Sequence, residues 1–167
     1  MLFDTERLLI REWVLEDLEL LHALYGDPAI SENIGPHLTK EETQQIFENQ
    51  LNNYHLQDLD GRYVVVDKET NSFIGTFLMR PLANGRVVEI GYAIKKEHWD
   101  KGLATELLSK ALVFIFANTV FQSIYAFTSL DNFRSKRVLE KCGFTEGERF
   151  YEGEEEMNTF YVDRGEV

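Results

Sequence analysis

Residues 101–105, Lys-Gly-Leu-Ala-Thr, stand where a strand-like run gives way to a helical pattern. The first amides of a helix lack intrahelical acceptors and carry a partial positive charge, so a helix start can grip a phosphate. Gly102 lets a ligand approach the backbone, Lys101 adds a point charge, and Leu103, Ala104 and Thr105 supply further N–H groups. A tight turn before a buried helix accounts for the same glycine with no ligand, so local features leave both readings open. The preceding run, Val87 to Ile94, contains an acid. By strand period Glu89, Gly91 and Ala93 share one face, while Val88, Ile90, Tyr92 and Ile94 share the other. A carboxylate beside two very small residues leaves a hollow next to a candidate general base. A surface or salt-bridged sheet acid is the alternative.

A second cluster follows in "NFRSKRVLEKCGF". Ser135, Val138, Leu139 and Cys142 fall on one helical face at i, i+3, i+4 and i+7, with Ser135 its polar member. Ser135 is either a positioned hydrogen-bond donor or a serine bonding its own turn. Cys142 precedes Gly143 with no histidine beside it, which predicts a packing role rather than an acyl carrier. His22, His37, His55 and His98 have no metal-ligand spacing, and no metal site is expected.

The elements that must position these groups read as β, α, α, β, β, β, α, β, α, β, β. "RLLIREWV" alternates as a first strand, and "LEDLELLHALYGD" has helical spacing that stops at Asp27-Pro28. Thr39 followed by Glu42 is a capping-box arrangement, opening a helix with Ile46, Phe47, Leu51 and Tyr54 on one stripe. Asn84-Gly85 is a hairpin turn joining "FIGTFLMRPL" antiparallel to "VVEIGYAI". The helix from about Leu103 buries Ala104, Leu107, Leu108, Ala111, Leu112 and Ile115. "SIYAFTSL" is a strand, and two last strands flank "EGEEEMN". One strand–helix–strand unit among antiparallel hairpins implies a mixed sheet with helices on its faces, an α/β (α+β) single domain over 1–167.

Composition narrows the function. The chain of 167 residues has room for one sizeable core, and its 44% hydrophobic content marks a folding sequence. Its longest apolar run, Ala111 to Ala117, is far too short to span a membrane, and one cysteine cannot form an internal disulfide. With an acid-containing N-terminus unlike a signal peptide, these features predict a cytoplasmic protein without a membrane partner. A net charge of −12 argues against nucleic-acid binding. It suits a cationic substrate, although solubility explains it equally well. The last 23 residues hold eight acids and two arginines, which concentrates the excess there.

Three motifs in order carry a resemblance over nearly the whole chain. "EIGYAIKKEHWDKGLATELL" resembles the acyl-CoA-binding motif of the GNAT superfamily of N-acetyltransferases, Gln/Arg-x-x-Gly-x-Gly/Ala, here on Trp99-Asp100-Lys101-Gly102-Leu103-Ala104. Tryptophan in the first place is common in the branch containing the ribosomal-protein alanine and serine N-acetyltransferases. "DTERLLIREW" with "LEDLELL" resembles the start of that branch, and Asn132, Ser135 and Gly143-Phe144 fit its Asn-x-x-Ser…Gly-Phe pattern. The resemblance implies a mostly antiparallel sheet of about seven strands with a splayed parallel pair. It implies acetyl-CoA as co-substrate, with backbone groups of Tyr92 and Ile94 on the pantetheine arm. Amides from Lys101 to Thr105 then cradle the pyrophosphate, Trp99 packs beneath the loop, and Asn132 and Ser135 face the thioester. Glu89 is the expected base and Ser135 the acid or hydrogen-bond donor. The expected acceptor is a primary amine, a protein α-amine first and a small amine second, and the expected state a monomer or homodimer. A non-catalytic acyl-CoA sensor is the alternative outside enzymes. Two departures stand out. Asp100 replaces a common glycine, and Leu139 replaces a tyrosine thought to act as general acid in many relatives.

Overall fold

The β-branched and aromatic runs become strands of one nine-stranded sheet in a computed structural model that describes residues 1–30, 38–52, 59–82 and 85–166. The chain forms β1 (Phe3–Asp4), β2 (Leu8–Arg11), a 3-10 turn at Leu15–Asp17, α1 (Leu18–Tyr25) and α2 (Lys40–Asn52). Next come β3 (Gly61–Asp67), β4 (Phe73–Pro81), β5 (Val87–Ile94), a 3-10 turn at Lys96–His98 and α3 (Leu103–Asn118). The last part holds β6 (Ser123–Ser129), α4 (Phe133–Lys141), β7 (Thr145–Glu146), β8 (Phe150–Glu152) and β9 (Glu155–Asp163). Strand order is β1-β2-β3-β4-β5-β6-β9-β7, with β8 on β9. Every pairing is antiparallel except β5 with β6. The two strands beyond the seven expected are β1 and β7, each of two residues, too short to leave a periodic signal.

Local rules set the boundaries. β2, the strand expected to run to Val14, stops at Arg11, because Arg11 Nη1 turns to Asp17 at 2.6 Å and Trp13 Nε1 donates to the Arg62 carbonyl at 2.7 Å. The capping box forms: Glu42 N–H donates to Thr39 Oγ1 at 3.2 Å, and Thr39 N–H to Glu42 Oε2 at 2.8 Å. Tyr54, His37, His55 and Asn84 lie outside the described residues. The hairpin predicted at Asn84-Gly85 is closed by Leu82 N–H donating to the Val87 carbonyl at 2.9 Å.

Two cores form on opposite faces of the sheet. Val88, Ile90 and Ile94 of β5 pack with Leu107, Leu108, Ala111 and Ile115 of α3. Ala93 lies in the other core with Val64, Phe73, Trp13, Leu21 and Phe47. The strand parity read from sequence therefore holds, as the unshifted β4–β5 register requires. Burying each large aliphatic side chain stabilises by roughly 1.5–3 kcal/mol, so the row on α3 fixes where that helix starts. Gly75 completes the frame, since a Cβ there would lie 1.9 Å from the Ala93 carbonyl oxygen.

Candidate active site

β5 and β6 pair only through Val87↔Ser123, Val88↔Ile124 and Glu89↔Tyr125. Beyond Glu89, β5 follows β4 to Ile94 and β6 follows β9 to Ser129, so the sheet forks. Strand alternation says which groups face the opening. Val87 C=O and Lys95 N–H both bond toward the β4 side, each at 2.9 Å. The main-chain groups of Ile90, Tyr92 and Ile94 therefore point away from β4. The Ile94 carbonyl is already engaged, accepting from Trp99 Nε1 at 2.6 Å. Tyr92 keeps both backbone groups on the open edge, whereas Ile94 keeps only its N–H.

Below the fork, the chain turns into α3 through two left-handed residues, Asp100 (φ 59°) and Gly102 (φ 76°). Gly102 is the N-cap, and no side chain caps the helix. The first helical bond runs from Glu106 N–H to the Gly102 carbonyl at 3.0 Å. Amides of Leu103, Ala104 and Thr105 thus find no acceptor among the described residues. Uncapped amides are what an anion needs, and the left-handed N-cap leaves room for one.

The loop is held by side chains that sequence reading missed. Arg7 Nη1 donates to the Lys101 carbonyl at 3.1 Å, while its Nε and N–H donate to Glu106 at 2.6 and 2.8 Å. Burial acts to raise the Glu106 pKa, but hydrogen bonds from Thr5 and Arg7 outweigh it and leave the carboxyl below its usual range. Arg134 lies over the Trp99 ring, 4.2 Å from its centroid, and reaches Asp100 at 3.0 Å. Asp100 is 82% exposed and its charge is met by Arg134, although the residue still lines the cleft. The Lys101 side chain is exposed, and Arg7 holds its carbonyl.

Glu89 sits at the fork itself. It is buried, as the hollow suggested, and also ion-paired, as the alternative held. Arg80 Nε and Nη2 both donate to Oε2, at 2.9 and 2.6 Å, leaving Oε1 without a partner among the described residues. The register puts Arg80, Glu89 and Tyr125 in one row, next to the row of Arg62, Leu78 and Gly91. On the other face, Tyr92 Oη donates to Ser135 Oγ at 3.2 Å. Asn132 Oδ1 accepts the Ser135 N–H at 3.1 Å and so caps α4. Burial pushes the Tyr92 phenol up to about 12. Cys142 packs against Thr105 and Ser109, with Sγ 3.6 Å from each oxygen, and burial raises its thiol pKa, which suits packing rather than nucleophilic attack.

Glu89, Tyr92, Gly102 and Ser135 all line one cleft of about 1560 Å³ that passes through the sheet. Its mouth beside β8 and β9 carries Phe127, Phe150, Glu152 and Glu155, with the two phenylalanine rings edge-to-face at 4.9 Å. One end of this channel can hold an anionic, amide-bearing ligand along an open strand edge. The other presents a carboxylate to a cation. Acetyl-CoA fits the first end.

The chain resembles known proteins over most of its length. The family model for the acetyltransferase (GNAT) domain matches residues 7–145. The chain is 32% identical over 144 residues to the uncharacterized N-acetyltransferase p20 of Bacillus licheniformis, covering 84% of this chain and 80% of that protein. It is 28% identical over 144 residues to spermidine N(1)-acetyltransferase of Vibrio cholerae, covering 85% and 81%. A GNAT-family acetyltransferase from Bacillus anthracis superposes with a TM-score of 0.85 at 23% identity, over 98% of each chain. RimL, the ribosomal L7/L12 alpha-N-protein acetyltransferase, superposes at 0.83 with 14% identity over 97% of each, which speaks for the fold alone.

Proposed function

Because the chain belongs to the GNAT acetyltransferase family, we propose that it moves an acetyl group from acetyl-CoA to a primary amine by direct transfer in a ternary complex. The fork beside an uncapped helix start is the observation that carries this reading. Acetyl-CoA supplies an activated acyl group on a thiol that leaves readily. The amides of Leu103, Ala104 and Thr105 hold the diphosphate, and the open edge at Tyr92 and the Ile94 N–H align the pantetheine arm. Trp99 fixes Ile94 from behind, and Asn132 keeps Ser135 at the thioester end.

The acceptor enters from the opposite face. Its ammonium gives up a proton to Glu89 Oε1, directly or through one water, while Arg80 occupies Oε2. The Tyr92 N–H on the open edge is placed to stabilise charge developing on the carbonyl oxygen. A protein α-amine is the favoured acceptor class. Its pKa of about 8 makes it easier to deprotonate than a lysine amine at about 10.4, and the motif resemblance runs to the α-amine branch. A small polyamine is the second reading. It is favoured by the acids Glu152 and Glu155 at the mouth and by the likeness to a spermidine acetyltransferase.

Thiol release from acetyl-CoA, followed across N-terminal peptides and polyamines, tests this. Turnover with α-amine peptides that is lost on Glu89→Gln supports the reading. Turnover with polyamines alone moves the acceptor class. Binding of acetyl-CoA with no turnover by any amine replaces the enzyme by a sensor.

A further inference from the structure

Leu139, 1% exposed, is buried in the core, so position 139 has no hydroxyl to offer a departing thiol. A tyrosine reaches the same end of the cleft from the strand side. Tyr92 belongs to the face of β5 that packs toward α3 and α4, and its hydroxyl donates to Ser135 Oγ at 3.2 Å. That bond occupies one lone pair of the serine oxygen. The Ser135 N–H is committed to Asn132 Oδ1 at 3.1 Å, which pins the residue in the first turn of α4. The serine hydroxyl proton is then directed away from Tyr92, and both residues line the cleft.

We propose that Tyr92 is a positioning residue acting through Ser135, orienting the serine hydroxyl to donate a hydrogen bond to the sulfur that leaves during acyl transfer. The inference rests on the acetyltransferase reading above, with Ser135 at the thioester end. The balance is complete without proton transfer along the pair. The ammonium first loses one proton to Glu89, and the amine nitrogen bonds the acetyl carbon. The carbon–sulfur bond breaks with its electrons on sulfur, and the second proton leaves that nitrogen as the intermediate collapses, both protons reaching solvent through Glu89. A phenol held at about 12 stays protonated against a thiol of about 8.5, so Tyr92 remains a donor throughout. Cys142, the titratable neighbour facing Tyr92 from the end of α4, acts in the same direction. Two donors in series also polarise one another, which strengthens the terminal bond.

Tyr92→Phe, Ser135→Ala and the double variant test the pair with two readouts. The first is kcat against KM for acetyl-CoA. The second is titration of the thiol of bound CoA by its ultraviolet thiolate absorbance, which needs no turnover. Tyr92→Phe is expected to lower kcat roughly tenfold with KM nearly unchanged, and to raise the bound-thiol pKa by about one unit, the same factor. Ser135→Ala matches or exceeds this, Ser135→Thr retains most activity, and the double variant is no worse than Ser135→Ala. Effects that add, or a bound-thiol pKa that moves in neither single variant, overturn the proposal. Loss of CoA affinity at constant kcat in Tyr92→Phe makes the tyrosine a wall and equally overturns it. If Tyr92→Phe folds poorly, Tyr92→Leu takes its place in the same thiol titration, and a bound-thiol pKa equal to that of wild type overturns the proposal. Wild-type protein that binds CoA but acetylates no amine refutes the catalytic reading, while the titration still reads the pair.

Discussion

Replacing Gly102 by alanine asks whether the loop conformation is what readies the amides of α3. Gly102 sits at φ 76° and ψ 2°, a left-handed N-cap. Space is not the obstacle, because the nearest atom to an added Cβ is Arg7 Nη2 at 3.7 Å, an ordinary contact. The cost is conformational, about 1–2 kcal/mol for an L-residue with a Cβ in this region. For a chain of this size each kcal/mol shifts Tm by about 2–4 °C, so Gly102→Ala should melt roughly 2–8 °C lower. Gly102→Asn should lose less, since asparagine tolerates the left-handed region. If the loop relaxes instead of bearing the strain, the amides turn and CoA affinity falls by about five- to thirtyfold for the same 1–2 kcal/mol. Differential scanning fluorimetry with and without CoA, with calorimetric affinity, separates the two. An alanine variant that equals wild type in both Tm and CoA affinity, or an asparagine variant worse than alanine, refutes the reasoning.

Gly75→Ala should unfold the β4–β5 pair or fail to express, because the Ala93 carbonyl that its Cβ meets at 1.9 Å is backbone and cannot swing away; native-like solubility with wild-type melting would contradict this. Arg80→Ala leaves a carboxylate only 11% exposed without its partner, but Arg80 is itself 55% exposed, so the loss is discounted to about 1 kcal/mol in urea unfolding. Activity should fall further than stability predicts, and Arg80→Lys should restore part of it. Glu106 has its folded pKa below the ordinary glutamate value of 4.5, so its stabilising contribution is complete above that value and is lost as pH falls through the lower folded pKa. Melting followed from about pH 6 to about pH 3 should decline less steeply in Glu106→Gln than in wild type; parallel curves would remove the Thr5–Arg7–Glu106 clamp from the account.

Much of the frame was legible because it obeys short periods. The faces of β5, the α3 core row and the Thr39–Glu42 box all follow from repeats of two, three or four residues. The Arg80–Glu89 pair was also readable in principle: counting outward from the Asn84-Gly85 turn sets residue 82 opposite 87 and 80 opposite 89, as found. The fork was expected from the family resemblance alone and has no local signal of its own. It depends on β6 choosing β9 along its whole length and β5 for only three residues, a competition between segments far apart in sequence. The Arg7 contact with Lys101 spans 94 positions and carries no local signal. Trp99 packs against both cores, and its indole also takes the Ile94 carbonyl that the pantetheine arm was expected to use. The Tyr92–Ser135 bond joins two residues each singled out separately, one for its backbone and one for its hydroxyl.

The three-residue seam between β5 and β6 has a mechanical consequence. Two half-sheets meet there with few crosslinks, so thermal breathing should concentrate along that line. A pantetheine arm bonded to the bare rim of β5 acts as a splint, stiffening the seam without any rearrangement of the chain. Amide hydrogens of Tyr92 and Ile94 should then exchange with solvent far more slowly once the thioester donor is seated, while those at the outer margins, β1 and β7, keep their pace.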